Sequence, residues 1–269
     1  MARRQPVEIA PGVHWYSAGV VAGNIYFVQS ASSWVLIDTA TAGQGRRIRE
    51  VAEALFGVGA RPAAILLTHV HPDHSGSVLE LAQAWDCTVC LHPDEMDLAI
   101  SRTLVTVARY ANPLDRWMIL PLLHLFPRRR IEAMLEKESL RGVVWTFEPA
   151  AAPPGLPDWT SISTPGHSPG HTVFFRQADR VLISGDALLT VDLGSLRGVL
   201  SWALRPTKPQ ACQPPWYTNW DRNKMIASAM AVVQLQPQVL APGHGHPLSG
   251  EAAASALRAY AHTHGFSLA

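Results

Sequence analysis

Short apolar runs separated by glycine, serine and alanine fill the first third of the chain, and this is the pattern of strands. Val13 to Tyr16, Asn24 to Gln29 and Trp34 to Asp38 are rich in β-branched or aromatic residues and predict an antiparallel meander. The period then changes. Ile48, Val51, Ala52 and Leu55 recur at helical spacing with charges between them, which predicts an amphipathic helix from Gly45 to Phe56, closed by Gly57 and Gly59. The run Ala63 to Leu67 predicts a buried strand. Ser77 to Trp85 reads as a helix with Val78, Leu81, Ala82 and Trp85 on one face, and Thr88 to Leu91 as the next strand.

Between Pro93 and Gly142 the pattern is helical, and the segment opening at Phe126 predicts an amphipathic helix through Leu140. Pro149 to Pro157 is a loop. Strands resume at Thr160 to Ser163, Thr172 to Arg176 and Val181 to Ser184, whereas Gly194 to Pro215 has little periodicity and reads as a long excursion. A helix from Asp221 to Leu235, a strand from Gln238 to Leu240 and a helix from Gly250 to Ala261 follow. Two runs of strands, each ending in helices, predict two similar halves packed face to face. The expectation is a single domain over 1–269, with a helical insert at about 95–142 and a loop excursion at about 188–217.

Composition narrows the function classes. The 269 residues are 48% hydrophobic, enough for a sizeable core. A net charge of +1, from 22 basic and 21 acidic residues, offers no footprint for a nucleic-acid backbone. No segment reaches the roughly 20 apolar residues of a membrane span, and Pro6, Glu8 and Pro11 interrupt the place where a secretory signal would need an apolar core. Neither a nucleic acid nor a membrane is expected as partner. Three cysteines, an odd number, fit a cytoplasmic protein rather than a disulfide framework. Cys87 and Cys90 form a CxxC, but on a strand they face opposite sides and cannot jointly chelate an ion.

The chemistry is concentrated after the strand at Ala63 to Leu67. Thr68-His69-Val70-His71-Pro72-Asp73-His74-Ser75-Gly76 places three histidines and an aspartate within six residues, and imidazole with carboxylate suits zinc or a similar divalent ion. On extended backbone His69 and His71 point the same way and can meet one ion. Pro72 breaks that pattern, and Asp73 and His74, adjacent and expected to diverge, fit a second metal better than the first. Three later strands also end in Gly- or Pro-rich corners that carry candidate ligands: Thr164-Pro165-Gly166-His167-Ser168-Pro169-Gly170-His171, Ser184-Gly185-Asp186, and Ala241-Pro242-Gly243-His244-Gly245-His246. Strand ends along one sheet edge can converge on one site.

In this order, THxHxDHxG, TPGHSPGH, SGDALL and APGHG resemble the metallo-β-lactamase superfamily, over essentially the whole chain from the LIDT segment at Leu36 to Thr39 through His244. The resemblance implies an α+β fold, the four-layer αββα sandwich, with the site at one edge of the sheets. It implies one metal held by His69, His71 and His167, a second held by Asp73, His74 and His244, and Asp186 bridging the two. Asp38 matches a family aspartate that supports the metal loop from behind the ligands. His171 is expected to stand behind the ligands or to pack internally, and His246 at the surface or at the pocket rim. His14, His92, His124, His262 and His264 lack such a corner and read as structural or exposed.

Two divalent ions, zinc above all with iron or manganese as alternatives, imply hydrolysis by a metal-activated hydroxide, with Asp73 orienting the water and passing a proton to the leaving group. The expected substrate is a small ester, lactone or thioester. Asp186 resembles the glyoxalase II, lactonase and phosphodiesterase branches, whereas β-lactamases typically carry cysteine or serine there. The 25 residues after His244 are too few for the domain with which glyoxalase II holds glutathione. SGDALL is also similar to the persulfide dioxygenases, which use one iron, although Asp73, His74 and His244 favour two metals. A β-lactamase or phosphodiesterase activity and a non-catalytic metal-binding scaffold are further readings. The inserts carry large apolar residues, Trp117 to Leu120, Leu122, Leu123, Leu125 and Phe126 in the first and Trp202, Trp216 and Tyr217 in the second. They are expected to cover the metals and favour an apolar part of the substrate, or to pack as core or as a homodimer contact.

Overall fold

A computed structural model of the protein describes residues 5–18, 23–30, 32–196, 198–199 and 210–266; Trp202, one of the expected pocket residues, lies outside them. The first sheet runs in chain order through β1 (Val7–Ala10), β2 (Val13–Ser17), β3 (Asn24–Ser30), β4 (Ser33–Ile37), β5 (Ala64–Leu66), β6 (Val89–Leu91) and β7 (Val144–Thr146). Its first four strands pair antiparallel and the rest parallel. Parallel neighbours need a crossover connection. Here α1 (Gly45–Phe56) links β4 to β5, and α2 (Pro72–Ser75) with α3 (Val78–Trp85) links β5 to β6. The crossover from β6 to β7 is the insert, which carries α4 (Met96–Ile100), α5 (Leu104–Arg109), α6 (Leu120–Leu123) and α7 (Arg128–Lys137). The second sheet has the order β12 (Leu248–Ser249), β11 (Val239–Pro242), β10 (Val181–Gly185), β9 (Thr172–Arg176), β8 (Trp159–Ser163). Only β10 and β11 are parallel there, and α8 (Arg222–Gln234) lies between them in sequence; α9 (Gly250–Thr263) follows β12.

Strand side chains alternate between faces, and three separate apolar clusters follow from that alternation. Ile25, Phe27, Leu36, Ile65 and Leu91 face outward onto Ile48 and Val51 of α1 and Leu81 and Trp85 of α3. Their neighbours Tyr26, Val28, Val35, Ile37 and Leu66 face inward and meet Phe174, Val181, Ile183 and Ala241 of the second sheet. On the far side Val173, Phe175, Leu182 and Leu240 pack against Met225, Ala229 and Val232 of α8 and Leu257 and Tyr260 of α9. The result is the four-layer αββα sandwich. Because both faces of the central strands are covered, those strands read as nearly unbroken apolar runs. Cys87, two residues before β6, packs with the outer cluster and Cys90 within β6 with the inner one.

Three short strands, β1, β7 and β12, and the division of the insert into separate helices are absent from the pattern reading. All three lie at sheet edges, where one neighbour suffices and the apolar signal is weak. Trp145 in β7, for example, is 64% exposed.

The two sheets are tied at one end by polar contacts as well as by the core. The Asn24 side chain donates to Pro242 O at 2.9 Å and Gly245 O at 2.7 Å, and the Tyr26 hydroxyl donates to Pro242 O at 2.6 Å. The Asn24 N–H donates to Gly243 O at 2.7 Å. These bonds hold the APGHG corner against the first sheet. An Asn24→Ala variant leaves buried carbonyls without their donor and is expected to lose about 2–3 kcal/mol of stability in urea unfolding, with a larger loss for Asn24→Asp, whose carboxylate cannot donate and is buried against the same carbonyl oxygens.

Candidate metal centre

The four corners named from the sequence meet at one edge of the sandwich. β5 ends at Leu66 and leads directly into His69; β8, β10 and β11 lead into His167, Asp186 and His244. Three overlapping groups of ligand atoms result, each with all its atoms within 4.8 Å of one another: His69 with His71 and His167; His69 with His74 and Asp186; Asp73 with His74 and His244. Asp186 stands between them, with Oδ2 at 3.3 Å from His167 Nε2 and 3.6 Å from His244 Nε2, and Oδ1 at 3.4 Å from His74 Nε2. His244 Nε2 is 3.1 Å from Asp73 Oδ2.

Asp73 and His74 do not diverge as their adjacency suggested. Pro72 opens the single helical turn α2, and the two side chains reach the same side of it, with His74 Nε2 3.9 Å from Asp73 Oδ2. His71 caps that turn with extended backbone, which is why it still points with His69.

The supporting contacts decide which nitrogen of each imidazole carries a lone pair toward the centre. Asp38 is buried, and its backbone lies in the left-handed region at φ 60°. Its Oδ1 accepts the Thr68 N–H at 2.8 Å, while Oδ2 accepts the Thr68 hydroxyl at 2.8 Å and His74 Nδ1 at 2.8 Å. With its proton given to Asp38, the Thr68 oxygen is left to accept from His69 Nδ1, 3.0 Å away. His69 Nε2 then holds a lone pair, and it is buried without a hydrogen-bond partner. His167 Nδ1 lies 3.0 Å from Asn219 Oδ1, an acceptor only, so its Nε2 carries the lone pair and faces His71 Nδ1 at 2.9 Å. His171 differs. Its Nε2 accepts the backbone N–H of Asp186 at 2.9 Å and its Nδ1 meets Thr164 Oγ1 at 2.8 Å, so both nitrogens are engaged and its effect is to place Asp186.

Orphaned lone pairs on His69 Nε2 and Asp186 Oδ1, surrounded by imidazoles, are what a divalent cation would satisfy, and the residues fit such an ion. Backbone closeness matters as well. A Cβ at Gly243 would stand 2.1 Å from Asp186 Oδ1 and 2.8 Å from His74 Cε1, so only glycine leaves that carboxylate its place.

Electrostatics separates the histidines. Desolvation, reinforced by neighbouring imidazoles, holds His69 and His171 well below the ordinary range, and desolvation with the nearby His167 brings His71 down to about 3. Desolvation also lowers His167, against the pull of Asp186. For His74 desolvation works the same way but is outweighed by Asp186, Asp73 and Asp38, which raise it well above the ordinary value. Burial opposes ionisation of Asp73 and Asp186, yet His74 and His244 hold both carboxyls low.

Two contributors escaped the sequence reading. Glu95 is fully buried, and its carboxylate accepts the Val70 N–H at 3.1 Å and the Gly170 N–H at 2.7 Å. It clamps the loop of His69 and His71 to the loop of His167. Asn219 is the other. A charged residue directly after His92-Pro93-Asp94 gave no sign of being buried, and only the fold brings either residue to its partner. His246 is exposed and its ring meets Trp15 edge-on at 5.2 Å, away from the cluster.

A cavity of about 420 Å³ opens onto His71, Asp73, His167, Asp186 and His244. Its outer wall comes from both inserts, with Asn112, Leu114 and Asp115 from the first and Leu189, Leu193 and Tyr217 among those from the second. The apolar run of the first insert does not line it. Trp117 and Leu125 are 72% and 77% exposed, because a π-helical turn at Asp115–Ile119 and the short α6 turn these side chains outward, where Trp117 meets the exposed Trp216 at 6.2 Å.

Residues 18–244 match the family model of the metallo-beta-lactamase superfamily. The chain belongs to this superfamily. A probable metallo-hydrolase of Bacillus subtilis (strain 168), YflN, is 33% identical over 247 residues, which are 91% of this chain and 88% of that protein. A hydroxyacylglutathione hydrolase of Bdellovibrio bacteriovorus is 27% identical over 199 residues, covering 73% of this chain and 58% of that enzyme. Among solved structures, that of TTHA1623 in a di-iron-bound form aligns with a TM-score of 0.56 at 25% identity, over 94% of this chain and 98% of that one. Membership makes the protein a metal-dependent hydrolase of a superfamily that binds divalent metals.

Asp38→Asn keeps the size of the side chain but presents an N–H₂ group to Thr68 or to His74. The variant is expected to stay folded by circular dichroism and to bind metal about 10- to 100-fold more weakly, measured by competition with a chromogenic chelator.

Proposed function

We propose that the protein is a dinuclear metallo-hydrolase acting on a small ester, lactone or thioester. The observation that carries this reading is the convergence on one cavity of His69, His71 and His167 with Asp73, His74 and His244, with Asp186 within 3.6 Å of His74, His167 and His244. In this reading His69, His71 and His167 hold one ion, Asp73, His74 and His244 hold the other, and Asp186 touches both. Bound divalent ions supply a nucleophile from water near neutral pH and polarise the substrate carbonyl. Zinc suits the nitrogen and oxygen donors best, with iron or manganese accepted according to supply.

The chain's own residues do the rest. Asp73, half-buried and held ionised beside His74 and His244, borders the cavity and is placed to orient a water and to carry its proton toward the leaving group. Cys87, Cys90 and Cys212 offer no competing nucleophile, since burial pushes each thiol up to about 11. A cavity of about 420 Å³ with Leu114, Leu189, Leu193 and Tyr217 in its wall favours a small substrate with an apolar part.

Metal analysis and a panel of esters, lactones, thioesters, phosphodiesters and β-lactams, run on one preparation, test the proposal. The expected result is two metals per chain and hydrolysis confined to carbonyl substrates. One iron per chain with oxygen uptake would overturn it. His69→Ala and His244→Ala are each expected to reduce metal content and to lower kcat/KM by more than about 100-fold. Because Asp186, Asp73 and Asp38 keep a proton on His74 when no ion is bound, metal uptake at pH 7 is expected to release that proton. Affinity should therefore fall as the pH is lowered. Calorimetry in two buffers of different ionisation enthalpy measures the release, and none would contradict the placement of His74 as a ligand.

A further inference from the structure

The wall of the metal cavity contains a carboxylate that the hydrolytic centre does not use. Asp115 comes from the insert, outside all four ligand-bearing corners, and it lines the cavity together with Asn112 and Leu114. Its position is set by a reciprocal pair of bonds. The Asp115 N–H donates to Asn112 Oδ1 at 2.9 Å and the Asn112 N–H donates to Asp115 Oδ2 at 3.3 Å. Asn112 is itself buried, so the pair forms a rigid corner that opens the following π-helical turn. This arrangement needs only Oδ2. Among the described residues Oδ1 takes part in no hydrogen bond, and no lysine or arginine lines the cavity.

We propose that Asp115 is a specificity-determining residue: its carboxylate accepts a hydrogen bond from a donor on the substrate, an ammonium, amide N–H or hydroxyl group, and rejects substrates that place a carboxylate there. This rests on the hydrolase reading and sharpens its substrate class. Asp73 and ions held at the ligand corners would act at the scissile carbonyl, while Leu114, Leu193 and Tyr217 offer apolar contact, so the substrate is an acyl compound with an apolar stretch and a neutral or cationic donor beyond it. Partial burial raises the Asp115 carboxyl above its ordinary value, against the Asn112 N–H, which lowers it. A donor that meets it gains from the lowered local dielectric, whereas a second carboxylate is repelled.

Binding of matched probes tests this without turnover. Three hydroxamates of equal chain length, ending in ammonium, methyl or carboxylate, are titrated calorimetrically into the metal-loaded protein. The wild type is expected to bind the ammonium-ended probe about tenfold more tightly than the methyl-ended one, and the carboxylate-ended probe most weakly. Asp115→Asn keeps an acceptor for the Asn112 N–H and removes the charge; the three affinities are then expected to converge to within about threefold. Absence of this order in the wild type overturns the proposal whatever the variant does. An order that survives in Asp115→Asn overturns it too, since Asp73 and Asp186 would then be its source. If no hydroxamate binds the metal-loaded protein, the hydrolase reading fails and the inference fails with it.

Discussion

One carboxylate organises the centre. Asp38 accepts the Thr68 N–H, the Thr68 hydroxyl and the His74 ring, and through the Thr68 hydroxyl it also fixes the ring of His69. It sits where β4 ends, beside the point where β5 hands the chain to the metal loop, and its left-handed backbone aims the side chain at the neighbouring strand instead of along its own. A ligand histidine is useful only when the proton is on the far nitrogen. Asp38 enforces that for one histidine directly and for another by relay, so members of both proposed half-sites depend on a residue that itself does not line the metal cavity.

The sequence disclosed the corners and concealed the braces. His69, His71, Asp73, His74, His167, Asp186 and His244 stand out because each follows an apolar strand and most sit among glycine and proline, which is a local signal. The helix Gly45–Phe56 was equally plain, its apolar residues keeping one period from end to end. Glu95 and Asn219 carry no local signal, since their partners lie 25 or more positions away and only the packing of two loops reveals why a charged or amide group belongs there. The large apolar residues of the insert were ambiguous for a related reason. Apolar periodicity does not say what a face will meet, and of the two placements expected for Trp117 and Leu125, over the metals or in a packed contact, the first is ruled out by their turning away from the cavity.

Glycine at 243 and the ties from Asn24 and Tyr26 express one further constraint. The APGHG corner has to approach Asp186 so closely that a methyl group would displace it, and the first sheet holds the corner there through backbone carbonyls rather than through the ligands themselves. The position of His244 is thereby inherited from the sandwich. A centre built in this way is preorganised, because its ligands do not have to be gathered when an ion arrives.

The insert stands in a different relation to the rest. It hangs between β6 and β7, and beyond the brace Glu95 at its start it supplies Asn112, Leu114 and Asp115 to the cavity but none of the groups gathered at the ligand corners. Mutational drift beyond Glu95 can reshape what the protein accepts while leaving the reaction intact. The lineage can thus explore new substrates at little risk to its chemistry, in the way an exchangeable nozzle leaves the engine behind it unaltered.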